Sequence, residues 1–219
     1  VYDPSRHMCA CMRQELNRRM LGELGLLAAG NTFENFDESL FSDEVPDGDK
    51  LSQRQRAVLA RNTCMAYVDA YPETATPNLL LSGKSGLGKT YLLHAIAHRL
   101  VERDVMPVYT SAYHLLEVAR KAYFENSSEK LAEMMNAPIL LIDDLGTEMP
   151  GQFVNSALYN LLNDRLLAGK PMVISTNLNV MEDLPKRYPA QVVSRLQGHF
   201  KLIPFVGEDI RVKKNWGTP

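Results

Sequence analysis

Eight residues, Gly83-Lys84-Ser85-Gly86-Leu87-Gly88-Lys89-Thr90, constrain the fold of this chain most strongly. They satisfy G-x-x-x-x-G-K-[ST], and their surroundings suit it. The apolar run Asn78–Ser82 precedes them and the amphipathic segment Tyr91–Val101 follows. Strand, glycine-rich loop and helix in that order is the context of a phosphate-binding loop. Glycines let the backbone curl so that successive N–H groups face an anion, and the helix N-terminus adds a partial positive charge. In such a loop Lys89 reaches the β- and γ-phosphates of a nucleotide, and the Thr90 hydroxyl ligates Mg²⁺. The stretch expected to touch nucleotide comprises Gly83, Lys84, Ser85, Gly86, Leu87, Gly88, Lys89, Thr90 and Tyr91.

A second stretch, Ile139-Leu140-Leu141-Ile142-Asp143-Asp144, carries the matching acid. Four apolar residues in a row suit a strand buried on both faces of a parallel sheet. Two carboxylates emerge where open α/β sheets bind ligands. Asp143 is the candidate Mg²⁺ ligand, directly or through water, and Asp144 the residue that orients or deprotonates the attacking water. A third strand tip, Ser175-Thr176-Asn177, offers an amide for the γ-phosphate or its water, although Asn also favours loop starts.

Between these motifs strands alternate with helices, which predicts a parallel α/β sheet. Ser52 is a plausible N-cap for a helix reaching about Tyr71. Strands are expected at Met106–Thr110, Pro171–Thr176 and His199–Phe205. Helices are expected at 90–102, Ala112–Phe124, Glu129–Asn136, Phe153–Ala168 and Ala190–Leu196, with Gly169 closing the fourth of these. Residues 31–50 read as loop, and Phe33 and Phe36 within it either enter the core or line a base pocket. There is no internal repeat and no low-complexity segment.

The chain has 219 residues and a formal net charge of −2. That suffices for one packed domain with an appendage, and it confines any nucleic-acid surface to a local patch. No apolar run approaches the roughly 18 residues of a membrane span, and the first residues do not form a secretory signal. Three cysteines, an odd number, fit a reducing cytoplasm. Residues 1–30 read as an amino-terminal appendage with a possible helix at Met12–Leu27. His7, Cys9 and Cys11 would supply half a zinc site, or are ordinary reduced residues.

As a set, these motifs resemble the AAA+ ATPases in order and spacing. In detail they are similar to the bacterial helicase-loader branch, DnaC and DnaI, and to the related IstB transposition helper. The residues that carry the resemblance begin with Asn31-Thr32-Phe33-Glu34-Asn35-Phe36 and Leu79–Leu81 leading into Gly83. Asp143-Asp144-Leu145-Gly146 with Glu148, Ser175-Thr176-Asn177, Ser194-Arg195-Leu196, and Gly207 followed by Arg211 complete the set. The resemblance covers about residues 30–215. It implies a three-layer P-loop NTPase core with a five-stranded parallel sheet and no helical lid domain after it. It implies ATP/ADP and Mg²⁺ as ligands, with ATP bound between subunits, so that the chain self-associates through the nucleotide site. Arg195 matches the arginine that reaches a neighbour's γ-phosphate; a surface helix arginine is the plain alternative. The implied partners are the replicative helicase, gripped through the appendage, and single-stranded DNA, with the Tyr109–Phe124 region on the DNA side. A transposase partner and a nucleotide-responsive adaptor remain alternatives. A small-molecule kinase would carry an arginine-rich substrate lid, which the sequence lacks.

Overall fold

The computed structural model describes residues 30–74 and 77–211. The expected helix Met12–Leu27, nearly all of the appendage, and Cys9 and Cys11 lie outside the described residues.

Five parallel strands form one sheet: β1 (Asn78–Ser82), β2 (Val108–Ser111), β3 (Leu140–Leu145), β4 (Met172–Thr176) and β5 (Lys201–Pro204), in the order β2-β3-β4-β1-β5. The phosphate-loop strand β1 therefore sits between β4 and β5, and the acidic strand β3 lies beyond β4. β1 and β4 are buried along their whole lengths, as strands covered by helices on both faces must be.

One face carries α1 (Gln53–Ala70) and α2 (Lys89–Glu102). Ser52 caps α1 as expected, in a reciprocal capping box: its hydroxyl accepts from the Gln55 N–H at 3.2 Å, and the Gln55 amide oxygen accepts from the Ser52 N–H at 2.9 Å. α2 buries Leu92, Leu93, Ile96, Leu100 and Val101 against the sheet, each large side chain contributing about 2 kcal/mol.

The other face carries α3 (Ala112–Phe124), α4 (Glu129–Asn136), α5 (Gln152–Leu167), α6 (Leu184–Arg187) and α7 (Ala190–His199). Arg165 of α5 is completely buried, and burial lowers its basicity to about 10. Its guanidinium donates to the carbonyls of Met134, Met135 and Ala137 at the end of α4 and to Pro171 ahead of β4. One side chain thus satisfies the orphan carbonyls of a helix end and fixes it to the sheet.

The elements match the expectations in kind and order and depart from them at the margins. α7 runs through His199, so β5 starts at Lys201 rather than at His199. Residues 31–50 contain a 3₁₀ turn at Glu38–Leu40, capped by Asp37. α6 is a single turn, too short to leave a periodic signal. Among the described residues no helix is long and apolar enough to cross a membrane.

Candidate functional site

The phosphate loop joins β1 to α2, and its shape is held from both sides. Gly83 and Gly86 have φ of +154° and +76°, a region that favours glycine. A side chain at Gly83 would overlap the Phe205 carbonyl, and one at Gly86 would overlap the Asp209 carboxylate. Residues past β5 clasp the loop: the Ile210 N–H donates to the Gly86 carbonyl at 2.9 Å, and Arg211 donates to the Ser85 hydroxyl at 2.9 Å while pairing with Asp209. Lys89 is 4% exposed. Its ammonium donates to the carbonyls of Gly83 and Lys84 at 2.6 and 2.7 Å, which leaves one of its three hydrogens for a ligand. Burial pulls its pKa below the ordinary value, and the charges of Asp144 and Asp143 oppose that shift.

β3 does not simply end at its acids. A register shift separates the pairs Ile142↔Ile174 and Leu145↔Thr176, and Asp144 within it has φ +56°. Asp tolerates this left-handed conformation better than most residues, and the bulge re-aims its side chain into the cavity. Three consecutive residues wire the tip of β4 to the end of β3. Ser175 donates to Asp143 in a short bond and accepts from the Asp144 N–H at 2.9 Å. Thr176 donates to the Leu145 carbonyl at 2.6 Å. Asn177 donates to the Asp144 carboxylate at 3.2 Å. Burial first, and then the neighbouring Asp143 charge, raise the Asp144 pKa, while Lys89 and the Asn177 bond counter them. A carboxylate near a buried cation and beside a second carboxylate is in the kind of environment where catalytic groups are tuned.

Asp143 is buried, and the Thr90 hydroxyl donates to its Oδ1 at 3.2 Å. A hydroxyl and a carboxylate held together are hard oxygen donors of the kind Mg²⁺ takes alongside phosphate oxygens and water, so this pair fits that ion. Among the described residues no group of three or more His, Cys, Asp or Glu is placed to hold a metal by itself.

With Asp143 directly behind Thr90, the residues Lys89, Thr90, Asp144 and Asn177 open onto a cavity of about 460 Å³, within the range of small-molecule and cofactor sites. Its polar end is Ser85–Thr90, Asp144, Asn177 and Arg211; its apolar end is Phe36, Leu40, Phe41, Tyr91 and Ile210. The alternatives left open for the two early aromatics resolve differently. Phe33 is core, whereas Phe36 is buried and also walls the cavity, stacked on Phe41 at 5.4 Å and edge-on to Tyr91 at 5.6 Å. Leu87 lines the cavity and is also buried in the core.

One sequence reading changes, and Glu148, left without a role, gains one. Tyr109, placed with the DNA-facing region, is instead turned toward the site: its hydroxyl donates to Asp143 Oδ2 at 2.9 Å. Glu148 does not face the cavity. It is 4% exposed and accepts from the Gly146 N–H at 2.9 Å, from Arg187 at 2.9 Å and from the Tyr188 hydroxyl, so it anchors the β3–α5 loop to α6. Arg195 is not part of the cavity lining within one chain. It donates to Asn163 at 2.9 Å and lies over the Tyr159 ring at 5.8 Å, both on α5. Sequence reasoning assigned no role around Asp143 to Ser175, Tyr109 or His94, although Ser175 lay within the Ser175-Thr176-Asn177 strand tip that it singled out.

Comparison with known proteins agrees with this geometry. The sequence pattern of the family described as IstB-like ATP binding protein matches residues 12–216. The chain is 28% identical over 193 residues to the uncharacterized protein YqaM of Bacillus subtilis (strain 168), covering 83% of this chain and 58% of that protein. It is 28% identical over 171 residues to the replicative helicase loader DnaI of the same organism, covering 76% of this chain and 50% of DnaI. It thus spans about half the length of the curated relatives it matches. The crystal structure of the DnaC helicase loader superposes with a TM-score of 0.63 at 20% identity, over 80% of this chain and 98% of that one, a likeness of fold. The family pattern covers residues 12–216, which include the phosphate loop, the acidic strand tip and Arg195, so the chain belongs to the IstB-like ATP-binding proteins, with a fold like that of the DnaC helicase loader.

Proposed function

We propose that this chain binds ATP with Mg²⁺ in the cavity, hydrolyses it, and uses the cycle to load a replicative helicase onto single-stranded DNA in primosome assembly. The observation that carries the reading is the joining of three strand tips: the Lys89 loop on β1, the Thr90–Asp143 pair reaching β3, and the Asn177–Asp144 bond from β4. Lys89 and the loop N–H groups hold the phosphates. Thr90 and Asp143 would hold Mg²⁺, which would offset phosphate charge in the transition state. Asp144, steadied by Asn177, orients the attacking water and takes its proton. Arg195, carried on the α5/α7 face, serves the site of a neighbouring copy, where its charge offsets that developing on the γ-phosphate. ATP shared between copies favours assembly, because a ligand shifts an equilibrium by its differential affinity. Assembly multiplies weak DNA contacts through avidity.

The helicase partner rests on the similarity to DnaI and DnaC, and a cytoplasmic location follows from that role. A transposition helper with a transposase partner is the second reading, favoured by the family match over residues 12–216. Two measurements test the proposal. Fluorescence anisotropy on a labelled single strand should show tighter binding with a non-hydrolysable ATP analogue than with ADP, weakening as salt rises; equal affinity in both states removes the switch. Pull-downs against the host's replicative helicase and against a transposase separate the two partner readings. Lys89→Ala serves as the control without nucleotide.

A further inference from the structure

Asp143 is held by a chain of side chains that leads away from the cavity. Tyr109, on the edge strand β2, donates its only hydroxyl hydrogen to Asp143 Oδ2 at 2.9 Å. Its oxygen can then only accept from His94 Nε2, 3.0 Å away on α2. That places the His94 proton on Nε2 and leaves Nδ1 as an acceptor, and the Asn31 side-chain amide lies 3.0 Å from it with a hydrogen to give. The three bonds are consistent with one another in one direction only, from Asn31 to His94 to Tyr109 to Asp143. The tyrosine and histidine rings also meet edge to face at 5.0 Å.

The far end of the chain is not arbitrary surface. Asn31 opens the segment whose Asn35 and Phe36 wall the cavity, and the Tyr91 hydroxyl ties that segment to α2 through the Thr32 carbonyl at 2.8 Å. On the other carboxylate oxygen, Oδ1, Asp143 already receives Thr90, Ser175 and the Asp144 N–H. Tyr109 is the partner that fixes Oδ2, and so the plane of the carboxylate.

We propose that Tyr109 is a positioning residue for the metal-binding carboxylate, oriented by His94, and that through Asn31 it joins that carboxylate to the segment walling the cavity. The inference rests on the nucleotide and Mg²⁺ reading above. Tyr109 does not line the cavity; it acts on Mg²⁺ affinity by holding Asp143 in one orientation. Hydrogen-bond partners of metal ligands typically matter by roughly 10- to 100-fold in metal affinity.

The test uses the full chain, a fluorescent ATP analogue and two readouts: analogue affinity in EDTA, and the Mg²⁺ concentration at half-maximal enhancement of binding. Tyr109→Phe should leave the EDTA affinity within about 2-fold and raise the Mg²⁺ half-point by roughly 10-fold or more. His94→Leu should move the half-point in the same direction. His94→Gln, which can still donate to Tyr109 and accept from Asn31, should bring it back toward wild type. This histidine pair carries the test on its own if Tyr109→Phe fails to fold. A Tyr109→Phe protein with the wild-type half-point would overturn the proposal, as would His94→Leu and His94→Gln behaving alike. Failure of the wild-type chain to bind the analogue at any Mg²⁺ concentration would instead remove the nucleotide reading, and this inference with it.

Discussion

The Asn177 side-chain amide donates to the Asp144 carboxylate at 3.2 Å, joining the tip of β4 to the bulge in β3. The bond steadies a carboxylate whose left-handed backbone already points it into the cavity. Asp144→Asn should keep ATP bound and lose turnover by roughly 100-fold or more, the scale of general-base loss. Asn177→Ala should lose less, about 10-fold, because the base survives without its support. Single-turnover hydrolysis beside a binding assay separates the two effects. Unchanged turnover in Asp144→Asn would strike it from the mechanism, and Glu148, bonded to Arg187, Tyr188 and Gly146, could not take its place.

Glu148 and Arg187 form an ion pair with side chains 2% and 15% exposed. Removing one partner of a buried pair leaves the other charge uncompensated, at a cost of about 3 kcal/mol or more. Glu148→Ala should therefore lower the urea midpoint by that equivalent, with nucleotide affinity per folded molecule unchanged. A lost catalytic rate at full stability would contradict the anchoring role.

Arg195 is held by Asn163 and Tyr159 and lies outside the cavity of its own chain. Arg195→Ala should keep ATP affinity and lose hydrolysis. Mixed with Lys89→Ala, it should regain part of the activity, since one interface then combines an intact loop with an intact arginine. No recovery in chains shown to co-assemble would place Arg195 on an ordinary surface.

Cys64 is fully buried on α1, and burial pushes its thiol from 9.0 up to about 12. The thiolate is the reactive form. With Cys9 and Cys11 changed to Ser, a thiol reagent at pH 8 should label the urea-unfolded chain and spare the folded one. The raised pKa also sets a sign. The neutral thiol's contribution to stability is complete below the unfolded value near 9 and is lost as pH rises toward 12. Cys64→Ala should flatten that alkaline loss. Rapid labelling of the folded chain would contradict the burial.

What could be read from the sequence was local. The phosphate loop is eight consecutive residues, and Asp143 and Asp144 follow directly on their apolar strand. Ser52 and Gln55, three residues apart, announce their own cap. The rest comes from strand order. Tyr109 meets Asp143 because β2 pairs with β3, across 34 positions of sequence, and no spacing rule encodes that neighbour. Glu148 closely follows two acids, yet its partners Arg187 and Tyr188 arrive from about 40 positions later, at the end of a one-turn helix. Arg165 likewise sat unremarked in an apolar helix, since nothing in its sequence shows the end of α4 it would serve.

The clasp formed by residues 207–211 bears on where this protein can be cut. Gln53 holds the Glu208 carbonyl at 2.8 Å, Ile210 holds Gly86 and Arg211 holds Ser85, yet none of these residues belongs to the sheet. A fragment stopped after Phe205, which is itself part of the core, would keep all five strands and both helical layers while releasing the outer side of the phosphate loop. It would melt much like the longer chain and still bind nucleotide poorly. The boundary of a stable piece and the boundary of a working one therefore differ here by about six residues.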